Sequence, residues 1–201
     1  KLSFFFSFLM LFVACGDDDL EPTLALDKDL STGINSATDL QSVLNSAYDR
    51  MSGTSYYGRN QIVMGDVRTD NFYSTMSSGR FGDADMEYST TGSGPWTTIY
   101  GVIAICNIVI GVDAASLEGD QGLINHTIGQ AHAIRALAHF DLLQDYGQHF
   151  VTGQGGAGAL GVPYVKTYKD PANLTPPRDT AASNLGDIVA DLQGAIGLMN
   201  D

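Results

Sequence analysis

Over residues 120–146 the apolar side chains of Ile124, Ile128, Ala131, Ile134, Ala138, Leu142 and Tyr146 recur every three or four positions, with no proline to interrupt them. That period describes an α-helix with one apolar face. Small residues cluster in the same run at Ala131, Ala133, Ala136 and Ala138, so other helices can approach it closely. Gly147 is its predicted stop. Such a helix needs helical neighbours, and the rest of the chain supplies them. Thr38 or Asp39 can cap a helix over 38–51 with Leu40, Val43, Leu44, Ala47, Tyr48 and Met51 as its apolar positions. Ile62, Val63 and Met64 predict a shorter one. Pro95 suits the first turn of a helix over 95–112, with Trp96, Ile99, Tyr100, Ile103, Asn107 and Ile110 on one face. Thr180 can cap a last helix over 180–199, whose core-facing positions read as Leu185, Ile188, Val189, Leu192, Ala195, Ile196 and Met199. Strand patterns are short, the clearest at 162–165. The predicted fold class is all-α, helical repeats with long irregular loops.

The 201 residues are 44 % hydrophobic and 16 % charged, enough apolar material for a packed core. Lys and Arg number 10 against 23 Asp and Glu, a net charge of −13. That balance disfavours nucleic acid and electrostatic docking on anionic lipid. Residues 2–14 are apolar apart from Ser3 and Ser7. The run is shorter than the roughly 20 residues a membrane-spanning helix needs, and 1–14 fits a secretory signal. Phe12-Val13-Ala14-Cys15 resembles a lipobox, which implies lipidation of Cys15. Gly16, Asp17, Asp18 and Asp19 resemble the surface-export signal of Bacteroidetes lipoproteins. The expected organisation is a signal over 1–14, an acidic tether over 15–34 and a helical domain over 35–201. The apolar faces of the last helices call for further chain, so the sequence reads as the first part of a longer protein. Cys106, inside an apolar helical run, reads as a small core residue.

Chemistry that breaks bonds finds little purchase. Gly153-x-Gly155-x-x-Gly158 has the letters of a dinucleotide fingerprint without the strand before it and the helix after it. His132 and His139 are seven apart, about 10 Å along a helix, too far to share one metal ion. All four histidines, His126, His132, His139 and His149, read as packed or surface residues. Asp83-x-Asp85-x-Glu87 opens like a calcium loop, but Tyr88 and Gly94 stand where Gly and Glu are needed. No acid pair is placed on rigid elements as glycoside hydrolysis requires. The chain therefore reads as a binding protein with no catalytic residues, metal or cofactor.

The best ligand-site candidate is the aperiodic stretch 67–95. A loop of this length is uncommon unless functional. Sugars bind with their C–H faces on aromatic rings and their hydroxyls on Asp, Asn and Arg. Asp70, Asn71, Tyr73, Arg80 and Tyr88 supply that mixture, with Tyr56 and Tyr57 as contributors. Trp96, the only tryptophan, is a candidate stacking platform, although it shares the periodic face of Ile99 and Ile103, which points to the core. Arg135, amid small residues, reads as a buried partner for a carboxylate or helix end. Asp179-Thr180-Ala181 resembles an O-glycosylation triplet of Bacteroidetes exported proteins.

Several segments together resemble the SusD/RagB family of outer-membrane lipoproteins. They are the lipobox with its acidic tail; Trp96-x-x-Ile99-Tyr100-x-x-Ile103-x-x-x-Asn107; Gly129-Gln130-Ala131-x-x-x-Arg135-Ala136-x-Ala138-x-Phe140-x-Leu142-x-x-x-Tyr146-Gly147; Gly161-Val162-Pro163-Tyr164-Val165; and Pro177-Arg178-Asp179-Thr180 ahead of Asp187-Ile188-x-x-Asp191-Leu192. Within the third, Ala136 to Phe140 resembles the A-x3-F element of a tetratricopeptide helix. The resemblance implies a truncated SusD-like fold of tetratricopeptide-like repeats. It further implies a surface lipoprotein that binds glycans and delivers them to a SusC-like TonB-dependent outer-membrane transporter. Peptide capture, as in some members, and a helical scaffold without a small ligand are the alternatives.

Overall fold

The structure is a computed structural model that describes residues 33–69, 72–75, 77–82, 95–148, 151, 155–172 and 174–199. Contacts divide the chain into two units, Lys1–Ile34 and Asn35–Asp201, and all helices named below belong to the second. Cys15, Asp70, Asn71, Tyr88 and His149, together with the acidic stretch 83–87, lie outside the described residues.

Among the described residues five α-helices follow one another: α1 Ala37–Ser52, α2 Asn60–Val67, α3 Trp96–Ile110, α4 Gln121–Tyr146 and α5 Ala181–Met199. Among the described residues there is no strand, only two isolated bridges, Ser36 with Glu118 and Leu160 with Thr180. The all-α reading stands. No helix among the described residues is long and apolar enough to cross a membrane.

Local chemistry sets the helix ends. α1 is capped by Ser36, not by Thr38 or Asp39 as expected: the Ser36 hydroxyl accepts from the Asp39 N–H at 3.2 Å and donates to Asp39 Oδ2 at 2.9 Å. The Asp39 carboxylate also accepts from the Asn35 N–H at 3.3 Å, so the acid reaches back to the backbone ahead of the helix. Pro95 is the N-cap of α3 and not part of its first turn, because its ψ of 32° is not helical. Asp120 caps α4 through the Gly122 N–H at 2.9 Å, and Thr180 caps α5 through the Ser183 N–H at 3.1 Å, as expected. Gly147 does end α4, but at φ −70°, so the left-handed turn is not the reason for glycine. Space is: a Cβ there would lie 2.4 Å from the Leu143 carbonyl oxygen.

α4 is the central element. Its broadest contact is with α5, then with α3, and α1 packs on both α3 and α4. Leu40, Leu44, Ile99, Ile103, Ile124 and Leu142 are fully buried, each stabilising the fold by about 1.5–3 kcal/mol. Gly129 lets α5 approach closely, since a Cβ there would sit 2.7 Å from Met199 Cγ. Cys106 is buried in α3 as expected, and burial pushes its thiol up to about 12.

The buried seam of α5 differs from the expectation. Ala181, Asn184, Ile188, Asp191 and Ala195 face inward, whereas Val189, Leu192 and Ile196 are exposed. Polar partners decide the helix's rotation. Asn184 Oδ1 accepts from the Val162 N–H at 2.7 Å, and Asp191 meets Arg135 inside the protein at 2.6 Å.

Arg135 fulfils its expected role. Its guanidinium is buried and reaches both carboxylate oxygens of Asp191, the Asn107 side chain at 2.7 Å and the Lys166 carbonyl. His139 is fully buried and stacks on Tyr164 with centroids 3.7 Å apart. The Val165 N–H donates to its Nε2 at 3.1 Å, so Nδ1 carries the proton and donates to the Arg135 carbonyl at 3.0 Å. Burial lowers this imidazole to about 4, which keeps it neutral near pH 7. His139 is therefore structural, and His132 on the same helix meets Asp191 at 2.9 Å.

Candidate functional site

Trp96 is the first residue of α3, and its indole is held at the surface by two tyrosines. It is 38 % exposed, so it belongs neither wholly to the core nor wholly to solvent. Tyr100, one turn further along α3, lies 4.8 Å away between ring centroids. Tyr146, the last residue of α4, meets it edge to face at 4.9 Å. The Trp96 backbone N–H, one of the first-turn donors that a helix leaves unpaired, donates to the Tyr146 hydroxyl at 3.1 Å. Tyr100 is anchored in turn, donating to the Pro163 carbonyl at 2.8 Å. Burial raises both phenols above the ordinary tyrosine value, so both stay protonated at neutral pH.

A charged pair lies near the Tyr146 ring. Arg68, at the end of α2, pairs with Asp145 on α4 at 3.4 Å. Both act electrostatically on the Tyr146 phenol, Asp145 raising its pKa and Arg68 lowering it. An aromatic face beside a carboxylate and a guanidinium can take the C–H face of a ligand while exchanging hydrogen bonds with its hydroxyls.

The other expected site residues fall differently. Tyr73 is 77 % exposed and Arg80 is exposed, within a stretch closed by a 2.9 Å bond from the Ser74 hydroxyl to the Arg80 carbonyl. Phe81 fastens that stretch to α2 by packing on Met64 and Val67, with the Arg59 guanidinium 5.9 Å from its ring. Tyr56 is not a surface contributor: it is fully buried and donates to Asp141 Oδ2 at 2.5 Å. Tyr57 shares the same oxygen at 2.8 Å. Burial raises Asp141, and the two phenols bonded to it oppose that shift. Such a cluster holds α4 to the 53–59 turn and offers little to a ligand.

Sequence reasoning placed Trp96 correctly at a helix start but missed Tyr146 as its partner and the Arg68–Asp145 pair near that tyrosine. Tyr146 is 50 residues away in the chain. The available signal was an aromatic beside an acid at the end of the longest helix.

Comparison with known proteins agrees with this architecture. No curated protein matches the chain significantly. Among solved structures, a candidate sugar-binding protein from Bacteroides vulgatus is 31 % identical, with a TM-score of 0.71 over 83 % of this chain and 38 % of that one. A SusD superfamily protein from the same organism is 28 % identical, with a TM-score of 0.72 over 82 % of this chain and 38 % of that one. Another, from Bacteroides thetaiotaomicron, is 26 % identical, with a TM-score of 0.64 over 81 % of this chain and 37 % of that one. The chain thus spans less than two-fifths of the length of these structures. The family model described as starch-binding and associating with the outer membrane matches residues 20–201, and the chain belongs to that SusD-like family.

Proposed function

We propose that this chain captures glycans at the outer membrane and passes them intact to a SusC-like TonB-dependent transporter. Membership of a family described as starch-binding supports the ligand class. The local observation that carries the reading is the half-exposed Trp96 ring braced by Tyr100 and Tyr146. A ring already fixed by its neighbours loses little freedom when a sugar stacks on it, so more of the contact energy appears as affinity. Arg68 and Asp145 bind hydroxyls near the Tyr146 brace, and Asp70, Asn71, Tyr73, Arg80 and Tyr88 supply further ligand contacts. Lipidation of Cys15 tethers the protein to the membrane, and delivery calls for release of an uncut ligand.

Titration with maltoheptaose, a linear glucose oligomer, tests this directly. The wild-type protein should bind it and leave its length unchanged, and Trp96→Ala should weaken binding while helicity is retained. Undiminished binding by Trp96→Ala removes the indole from the site. Shortening of the oligosaccharide overturns the capture reading.

A further inference from the structure

We propose that Arg178 is the positioning residue for the Trp96 surface, fixing the indole from the far side of its tyrosine braces. Arg178 Nη2 donates to the Tyr146 carbonyl at 2.6 Å, and Nε donates to the Gly161 carbonyl at 2.6 Å. Tyr146 ends α4, so its carbonyl is one of the acceptors that a helix leaves unpaired, at the end where a cation is favoured. The side chain therefore pins the backbone of the residue whose ring and hydroxyl hold Trp96.

The second brace runs to the same place. Tyr100 donates to Pro163, two residues beyond the Gly161 carbonyl that Arg178 holds. That stretch is itself fastened, with the Gly161 N–H on the Asp179 carbonyl and the Ala181 N–H on the Ala159 carbonyl, each at 2.7 Å. Both tyrosines flanking Trp96 thus rest on one strap that Arg178 closes onto α4. The helix end does not depend on Arg178, because the Gly147 N–H still donates to the Leu143 carbonyl at 2.9 Å. Loss of the guanidinium frees the braces and leaves the helix.

Trp96 is the only tryptophan in the 201 residues, so in a protein of these residues tryptophan emission reports on this site. Arg178→Ala should move the ligand-free emission to longer wavelength and increase its quenching by acrylamide, with helical circular dichroism unchanged. Arg178→Lys, which keeps the charge but can serve only part of the two-carbonyl fork, should restore part of both. Lys166→Ala removes another exposed cation, paired with Asp187 at 2.7 Å, and should leave the emission where it is. Unchanged emission and quenching in Arg178→Ala overturn the proposal, as does an equal change in Lys166→Ala. If Arg178→Ala does not fold, the Lys variant decides: wild-type emission there also overturns it.

The binding consequence rests on the glycan reading. Maltoheptaose affinity of Arg178→Ala should fall about three- to tenfold, the size of one weakened aromatic contact. Failure of the wild type to bind any glycan ends that reading, while the ligand-free emission still decides the role of Arg178.

Discussion

Asp191 of α5 accepts both arms of the Arg135 guanidinium of α4, Oδ1 from Nη2 at 2.6 Å and Oδ2 from Nε at 2.8 Å. Only 5 % of the arginine side chain and 8 % of the aspartate side chain are exposed. His132 adds a bond at 2.9 Å and Tyr164 another at 2.6 Å, so the carboxylate is satisfied within the protein. Removing it leaves a cation buried without a counter-charge. Asp191→Asn should cost about 3–5 kcal/mol, read as a lowered urea midpoint. An unchanged midpoint would mean that the pair adds nothing to folding.

The same site sets one acid limit. Burial alone raises Asp191, but hydrogen bonds from Arg135, His132 and Tyr164 outweigh it and hold the carboxyl well below the usual range. A depressed acid contributes stability above its unfolded value and loses it as pH falls through the folded one. His139 acts at higher pH. With a folded value of about 4 against the ordinary 6.5, the unfolded chain takes up the proton first between those values. Stability should therefore fall by about 3 kcal/mol as pH drops from 6.5 to 4. Denaturation at pH 7 and pH 4.5, in wild type and His139→Gln, measures it; the variant should lose much of the slope.

Leu142→Asp should destabilise by several kcal/mol, because Leu142 is fully buried on α4 and an unpaired carboxylate there has no partner. Leu143→Asp, at a partly exposed neighbour, should cost much less. Thermal melts of the two compare directly.

In cells, Cys15→Ala should shift the protein from the detergent-extracted membrane fraction to the soluble or precursor fraction. Unchanged membrane partition would remove the lipid anchor.

Hydroxyl-binding residues can be told apart by calorimetry with maltoheptaose. Arg68→Ala and Asp145→Ala alter the charged pair near Tyr146, and Asp70→Ala and Arg80→Ala alter the candidate stretch 67–95. Each residue that bonds a shielded hydroxyl should lose about 1–3 kcal/mol of affinity. Loss confined to the first pair would shrink the site to the helix ends.

The five helices were legible because apolar period is a local property, and every core helix except α2 has at least fifteen residues of it. Rotation about the helix axis was less so. In α5 the exposed Val189, Leu192 and Ile196 compete as an apolar stripe with the true seam, and only long-range partners of Asn184 and Asp191 settle the choice. Arg135 could be read as buried from its small neighbours, but its partner lies 56 residues on. Tyr56 failed for the same reason, since the acid that receives its hydroxyl is 85 residues away. Trp96 was visible as a lone indole at a helix start; of the two rings that hold it, Tyr100 is one turn away but Tyr146 lies 50 residues on.

The polar seam between α4 and α5 also governs register. An Ala- and Gly-lined apolar contact tolerates sliding, because one small side chain resembles the next. A slip of one turn, about 5.4 Å, would strand both Arg135 and Asp191 away from their bonds. Alternative alignments of the two helices are thereby penalised, as a single polar pair does in a coiled coil. Replacing the pair by Met and Leu should preserve much of the stability while relaxing the uniqueness of the alignment, visible as broadened amide resonances along α5.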